Sequence, residues 1–384
     1  MDQVPLAHLL DYIEFADFKG YDPYDALNSP LLNLLSFNSK YLRIAFIQAL
    51  KRSPINLRPL LGIKKGYNPK ALGLFLWGYS KLYALEKKEE YLGTIERLLI
   101  LLKEFRSDGY FGSCWGYNFD WQSKAFFIPK YTPTIVNSSF IGHALLDTCA
   151  NTGLEKAREM ALPIADFILQ SLHRLEEDGT TCFSYTPIDY YFVHNANLLG
   201  ASFLIRLYKE TGNEELRETA LSALAYSMRH QQADGSWFYA EKDMSHWIDS
   251  FHTGFNLQAI KYFFDLGFAD EYRIQFEKGV HFYAENFFLA DGTPKYYCDR
   301  VYPLDIHSPA QAVVFFSRLG SKYSELTDSV LRWMVDNMMD KKGFFYFQKT
   351  GYYTNKIPYM RWSQAWVFHA LTEYYLNRQN EPSD

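Results

Sequence analysis

"HNANLLGASFLIRLYKETGNEELRETALSALAYSMRHQQADGSWFY", residues 194–239, holds the unit from which the fold can be read. Its first part, 194–212, is apolar nearly all round, so a helix there must be buried. Its second part, 214–230, carries a one-sided apolar stripe with Glu and Arg opposite, the pattern of a helix half in water. Gly212 between them supplies the left-handed residue that ends a helix. An Asp-Gly turn followed by Trp237, Phe238 and Tyr239 closes the unit.

The unit repeats. "SDGYFGSCWGY" begins at Ser107, "EDGTTCFSY" at Glu177, "ADGSWFYAE" at Ala233, "ADGTPKYYC" at Ala290 and a degenerate "KKGFFYFQ" at Lys341. The irregular spacing, roughly 50 to 70 residues, suits a structural repeat whose loops differ in length. Apolar segments at 68–85, 135–153, 194–212, 251–267 and 307–320 each precede a more polar one, at 89–105, 155–172, 214–230, 271–287 and 324–339. A sixth apolar segment, 361–376, stands alone. Six inner and five outer helices leave one outer place, which 39–52 ("SKYLRIAFIQALKR") is expected to fill, so that the chain closes on itself. The expected fold is all-α: an (α/α)6 toroid, a six-hairpin barrel with short β-like Asp-Gly-aromatic turns at one face. One domain spans the chain, with an N-terminal helix and Tyr/Asp-rich loop at 1–34, the ring at 35–376 and a polar tail at 377–384.

Composition narrows the function. The formal net charge of −5 argues against nucleic acid, which requires a basic stripe. Four scattered cysteines without a C-x-x-C suggest reduced thiols and a cytoplasmic location. The N-terminus reads as an amphipathic helix, not a secretory leader, and no apolar run is long enough to span a membrane. Aromatic residues make up 18% of the chain. Tyr and Trp in such excess suit a wet cleft that stacks on flat ligands.

In a closed ring every outer-to-inner connection emerges on one face. The first turns of the inner helices then contribute Asn137, His194 with Asn195, His252, His307 and Arg361 to one funnel. Beside them in the loops stand Trp115, Asp120, Trp121, Tyr190, His246, Trp247, Asp249, Tyr297, Arg300, Asp305, Tyr353, Asn355 and Trp362. Capping explains an Asn or Asp at a helix start; it does not call for histidine or arginine at comparable positions of several units. An aromatic funnel with convergent polar groups is the default binding site.

Two chemistries fit these residues. Proton abstraction beside a carboxylate needs Asn, His or Arg to neutralise the acid and His or Tyr to move the proton. Arg361, Arg300, Asn195 and Asn137 are then expected to bind, with His252 and Tyr297 exchanging the proton and His194 or His307 assisting. Glycoside hydrolysis needs two carboxyl groups, for which Asp249 and Asp305 are the best pair and Asp120 and Asp189 the reserves. Trp115, Trp121, Trp247 and Trp362 would stack on sugar rings, with Tyr190, His246 and Tyr353 at the rim. The spacing of His246, His252, His194 and His307 matches no compact metal motif, and neither metal nor cofactor is expected. The segment "FKGYDPYDALNSPLL" (18–32) reads as a connecting loop; alternatively Tyr21, Asp22 and Asp25 fold over the mouth and touch the ligand.

The helical pairs and their Asp-Gly-aromatic turns resemble the (α/α)6 toroids of carbohydrate-active enzymes: six-hairpin glycosidases, polysaccharide lyases and glucuronyl C5-epimerases. The resemblance is architectural, carried by segments such as "VHNANLLGASFLIRLYKETG" and "WIDSFHTGFNLQAI". It implies a soluble enzyme of polysaccharide or glycan metabolism acting on an oligosaccharide, polysaccharide or carrier-linked sugar, by epimerase- or lyase-like proton abstraction or else by hydrolysis. A non-catalytic glycan-binding or assembly role is the remaining alternative. "HQQADGSW" is similar to a terpene-cyclase motif, but the acidic D-x-D-D that protonates a polyene is absent.

Overall fold

The computed structural model describes residues 3–124, 126–242 and 245–380. Fifteen helices are described: α1 (Val4–Phe15), α2 (Pro30–Leu35), α3 (Lys40–Arg52), α4 (Pro69–Glu86), α5 (Glu89–Glu104), α6 (Ile135–Thr152), α7 (Glu155–Ala161), α8 (Ile164–Asp166), α9 (His194–Thr211), α10 (Glu214–Arg229), α11 (Ser250–Asp265), α12 (Arg273–Phe287), α13 (His307–Ser317), α14 (Ser324–Met338) and α15 (Trp366–Asn380). Pro163 separates α7 from α8, and a π-helical turn, Met360–Ala365, leads into α15. The last four positions of the expected polar tail, 381–384, lie outside the described residues, whereas 377–380 belong to α15.

The inner helices form a closed circuit. α4 packs on α6, α6 on α9, α9 on α11, α11 on α13, α13 on α15, and α15 returns to α4. Each is buried for most of its length, as its all-round apolar sequence demands. Outside them lie α5, α7 with α8, α10, α12 and α14, each against its own inner partner. The fold is the (α/α)6 toroid.

The sixth outer place is filled differently from the expectation. The helix against α15 is α1, not α3, and its Leu6, Leu9 and Ile13 enter the main core. The Asp-Gly turns show why the position is equivalent. A Cβ at Gly235 would lie 2.5 Å from the Lys278 carbonyl oxygen on the next outer helix, α12. At Gly343 the corresponding Cβ would lie 2.2 Å from the carbonyl oxygen of His8, on α1. Gly235 and Gly343 each sit, at positive φ, on the backbone of the outer helix that follows, so only a residue without a side chain fits there.

The segment α3 is freed for another task. With the 3-10 turn Asp25–Asn28, α2 and Ile63 it builds a small separate core of Ala26, Leu27, Leu32, Ile47, Leu50 and Ile63. This cap rests on the mouth of the ring, against the two-residue strand β1 (Trp121–Gln122). The Tyr353 hydroxyl donates to the Arg52 carbonyl at 2.7 Å, and the Asn355 amide donates to the carbonyls of Lys51 and Ser53, anchoring the end of α3. The expected β-like turns are present as short hairpins, of which β3 (Arg174–Glu177) with β4 (Thr180–Phe183) is the longest.

Candidate active site

A cavity of about 250 Å³ opens at the capped end of the ring. All six inner helices reach it through their first turns: Lys70 from α4, Val136 from α6, Asn195 from α9, His252 from α11, His307 from α13, and Arg361 with Trp362 from the π-helical turn before α15. The intervening loops supply its aromatic wall, Tyr117, Phe119, Trp121, Tyr185, Tyr239, Trp247, Tyr296 and Tyr297, and the cap adds Tyr24. A helix start is where side chains on separate helices converge on a ring axis, so one register serves every unit.

Asp249 caps α11, its carboxylate accepting from the His252 backbone N–H at 3.0 Å. The same carboxylate holds His252 Nδ1 at 2.7 Å and the Trp247 indole N–H at 3.2 Å. A carboxylate only accepts, so Nδ1 carries a hydrogen, which leaves Nε2 as the basic nitrogen of the neutral ring. The arrangement is that of a base oriented by an acid.

His307 is held differently. Its ring lies 4.6 Å from Trp362, 4.5 Å from Trp366 and 4.8 Å from Phe251, measured between ring centroids. Both ring nitrogens are shut from bulk solvent without a well-formed hydrogen bond among the described residues, with only a weaker approach to the Trp362 backbone. Burial, reinforced by the Lys70 and Arg361 charges, holds its pKa well below the histidine range, so the imidazole is neutral. Asn195 Oδ1 is likewise buried and unpartnered. Such groups each cost about 1–3 kcal/mol unless something meets them.

Lys70 lines the floor. Its ammonium sits 4.2 Å from the Phe140 ring centroid and 5.3 Å from that of Trp366. Burial, with Arg361 nearby, lowers its pKa well below the lysine range. Burial raises the pKa of Tyr117, Tyr185, Tyr239, Tyr296 and Tyr297, so these phenols stay protonated and act as hydrogen-bond donors.

Several sequence candidates lie elsewhere. The Arg361 guanidinium lines the cavity but is engaged by Asp22, Nε to Oδ2 at 2.6 Å and Nη2 to Oδ1 at 2.8 Å, so it is not free to grip a substrate acid. The 18–32 segment therefore does fold over the mouth. Asp22 locks it to the ring, and Asp25 anchors it to Arg58 at 2.6 Å. Asp305 is buried beneath the wall, accepting from the His307 N–H, Trp362 Nε1 and Gln348 Nε2. His194 is taken by Ser227 and Glu241, outside the cavity lining. Trp115 is fully buried, its indole N–H tied to the Leu102 carbonyl, so it packs the ring and cannot stack on sugar.

Asn137 is buried behind the wall with both amide atoms unpartnered. Arg300 is exposed and paired with Asp299. Asp120 accepts from the Lys130 N–H, Asp189 from Thr186 and the Tyr191 N–H, Tyr190 stacks on His173, and His246 stacks on Phe238. None of these lines the cavity, nor does Tyr353, which holds the cap. His252, His307, Asp249, Asn195, Tyr297, Trp121, Trp247, Arg361 and Trp362 are brought together.

Sequence reasoning missed Lys70, Tyr24 and most of the aromatic wall. Lys70 was findable: it follows Asn68-Pro69 in the first turn of the first inner helix, the register already used for the other five. Tyr24 was not, because only the folded cap brings it to the ring.

The sequence matches no family model and no curated protein. Solved structures do resemble the fold. Cellobiose 2-epimerase from Bacillus thermoamylovorans superposes with a TM-score of 0.64 at 15% identity, over 81% of this chain and 88% of its own. A D-mannose isomerase gives 0.61 at 13% identity, over 82% and 87%. A GH76 α-mannanase from Bacteroides thetaiotaomicron gives 0.62 at 11%, over 84% and 90%. What this chain shares with these carbohydrate-active enzymes is the (α/α)6 toroid.

Proposed function

We propose that the protein is a carbohydrate-active enzyme that isomerises or epimerises a sugar by moving a proton at the carbon beside its carbonyl group. The observation that carries this is the pair of unlike imidazoles in one aromatic cavity: His252, with Nδ1 fixed by Asp249, and neutral, unpartnered His307. His252 Nε2 would take the proton. A neutral His307 N–H would donate to the carbonyl oxygen as negative charge develops there, the role in which a neutral imidazole serves better than a charged one. For the isomer, His252 would return its proton to the former carbonyl carbon while the proton of the neighbouring hydroxyl passes to the former carbonyl oxygen; for the epimer, the planar intermediate would turn its other face to His252 before the proton returns to the same carbon.

Two features favour this over the other chemistries that the fold supports. Hydrolysis needs two carboxyl groups, and among the described residues the lining holds one, Asp249, with both oxygens engaged. Uronate chemistry needs a free cation for the substrate acid; Asp22 occupies Arg361, and burial holds the pKa of Lys70 well below the lysine range. A cavity of about 250 Å³ is below the roughly 300–1,000 Å³ of drug-sized pockets, which suits one sugar residue or the end of a short oligosaccharide.

The test is proton exchange in D2O, followed by NMR with D-mannose, D-glucose and cellobiose. Deuterium should appear at carbon 2 of an epimer, or at carbon 1 of a ketose isomer. His252→Ala should slow this by about 10²–10⁴-fold while thermal unfolding stays nearly unchanged. Exchange that persists in this variant, release of new reducing ends, or no exchange across the panel would each remove the assignment.

A further inference from the structure

The cap differs in chemistry from the ring it covers. Between Ala26 and Asn68 the chain has seven Lys and Arg and not one Asp or Glu, although the whole chain is net acidic. The cap also exposes apolar side chains that its small core does not use: Leu34 is 72% exposed, Phe37 76%, Tyr41 81%, Ile55 68% and Leu60 84%. Nine of the 24 large apolar residues exposed among the described residues fall between 31 and 60, far more than this short segment's share. Scattered singly, such residues need no explanation, but a contiguous patch does.

They sit on adjoining elements. α2, Phe37 and the start of α3 are consecutive in sequence, and the Ser29 hydroxyl donates to the Leu61 carbonyl at 2.7 Å, bringing the 57–63 loop beside α2. Basic side chains border this skin. Lys40, Arg52, Lys64 and Lys65 are exposed, and none of them has an acidic partner among the described residues. By contrast, the two buried arginines that hold the cap's inner side, Arg58 and Arg361, are matched by Asp25 and Asp22. Charge is balanced on the face toward the ring and left positive on the face toward solvent.

We propose that the cap docks the protein on an anionic lipid surface, with Leu34, Phe37, Tyr41 and Leu60 entering the headgroup boundary and the lysines meeting lipid phosphates. Short amphipathic elements with exposed apolar side chains and one sign of charge bind in this way. A second copy of the chain is a poor occupant, because like charges would face each other across the contact. The cap also contributes Tyr24 to the cavity wall, so docking would bring the cavity mouth toward the membrane. The inference is independent of the reaction proposed for the cavity.

The test is co-sedimentation of the full chain with phosphatidylcholine vesicles, with and without roughly 30 mol % phosphatidylglycerol. Binding is expected to the anionic vesicles, to be at least about tenfold weaker on neutral ones, and to fall in about 0.5 M salt. Phe37→Asp and Leu60→Asp, at exposed positions, should each weaken it by about tenfold or more, and Lys64→Glu with Lys65→Glu should lower it further, with circular dichroism unchanged. Absence of wild-type binding overturns the proposal, as does equal binding to both vesicles that these variants leave intact. So does a vesicle-free dimer that Phe37→Asp dissolves, since the patch would then belong to self-association.

Discussion

The inner helices carry polar and charged side chains at two depths, and the two groups behave in opposite ways. In the first turns, at the mouth, His307 and Asn195 line the cavity with buried atoms unpartnered among the described residues, and the Lys70 ammonium lies against aromatic rings. About two turns deeper, a second set crosses the same axis and is almost wholly paired. His143 meets Arg206 Nη1 at 3.0 Å and the Ser202 hydroxyl at 3.1 Å, and stacks on Tyr262. Asp147 takes Arg206 and the Trp77 indole N–H, while Lys81 pairs with Glu373 and reaches His369 Nδ1 at 3.1 Å. His369 stacks on Trp77, with only its Nε2 left over. Residue type therefore does not mark the site; three histidines of similar burial serve two purposes. The mark is whether neighbouring helices satisfy the polar atoms or leave them for a ligand.

The sharpest way to break this contrast is at the mouth. Asp249→Asn keeps a good N-cap but removes the charge that fixes His252 Nδ1–H. The rate of deuterium exchange should fall by about 10²–10⁴-fold with little change in the melting temperature. A loss of less than about tenfold would mean that the pair is a cap and nothing more.

The deep network should respond the other way. Glu373→Ala leaves Lys81 buried without its carboxylate, which typically costs about 3–5 kcal/mol. Denaturant unfolding should show that loss, while exchange at the cavity, measured below the unfolding transition, stays within about twofold of wild type. If activity falls as far as stability does, the two layers are coupled.

The pH dependence is a smaller effect. Burial holds His143, His307 and His369 well below the usual histidine range. The folded chain keeps them neutral while the unfolded chain takes up protons below about pH 6.5. Their stabilisation is full above that value and lost as pH falls, by about 1.4 kcal/mol per unit for each. Asp25 and Asp305, pushed up to about 6 by burial, act oppositely: the folded chain binds their protons first, so they add stability between about 6 and 4. The histidines outnumber the carboxyls, so denaturant stability should decline from pH 6 to pH 4 by roughly 1–2 kcal/mol per unit. A flat profile would show that a deep imidazole is charged in the folded chain.

Periodicity made the ring legible because burial imposes it: a helix apolar all round cannot lie on a surface, and one with a stripe cannot lie inside. The first-turn register located Asn195, His252, His307 and Arg361 for the same reason, since it follows from helix geometry alone. What local pattern could not assign was the partner of each polar group. Arg361 reads as a free guanidinium until Asp22, 339 residues away, is found against it. Asp305 reads as a free acid until Trp362 and Gln348 close over it. The exchange of α1 and α3 has the same cause, because both are amphipathic and either could pack on α15.

The order of buried and half-wet helices, the Asp-Gly turns between them and the set of residues at each helix start were thus determined by the sequence alone, because they depend on contacts within a few turns. Which helix closes the circle, which charges cancel and which imidazoles stay unmatched were decided only in the tertiary structure. Those outcomes depend on side chains that meet across the ring, and no local spacing encodes such meetings.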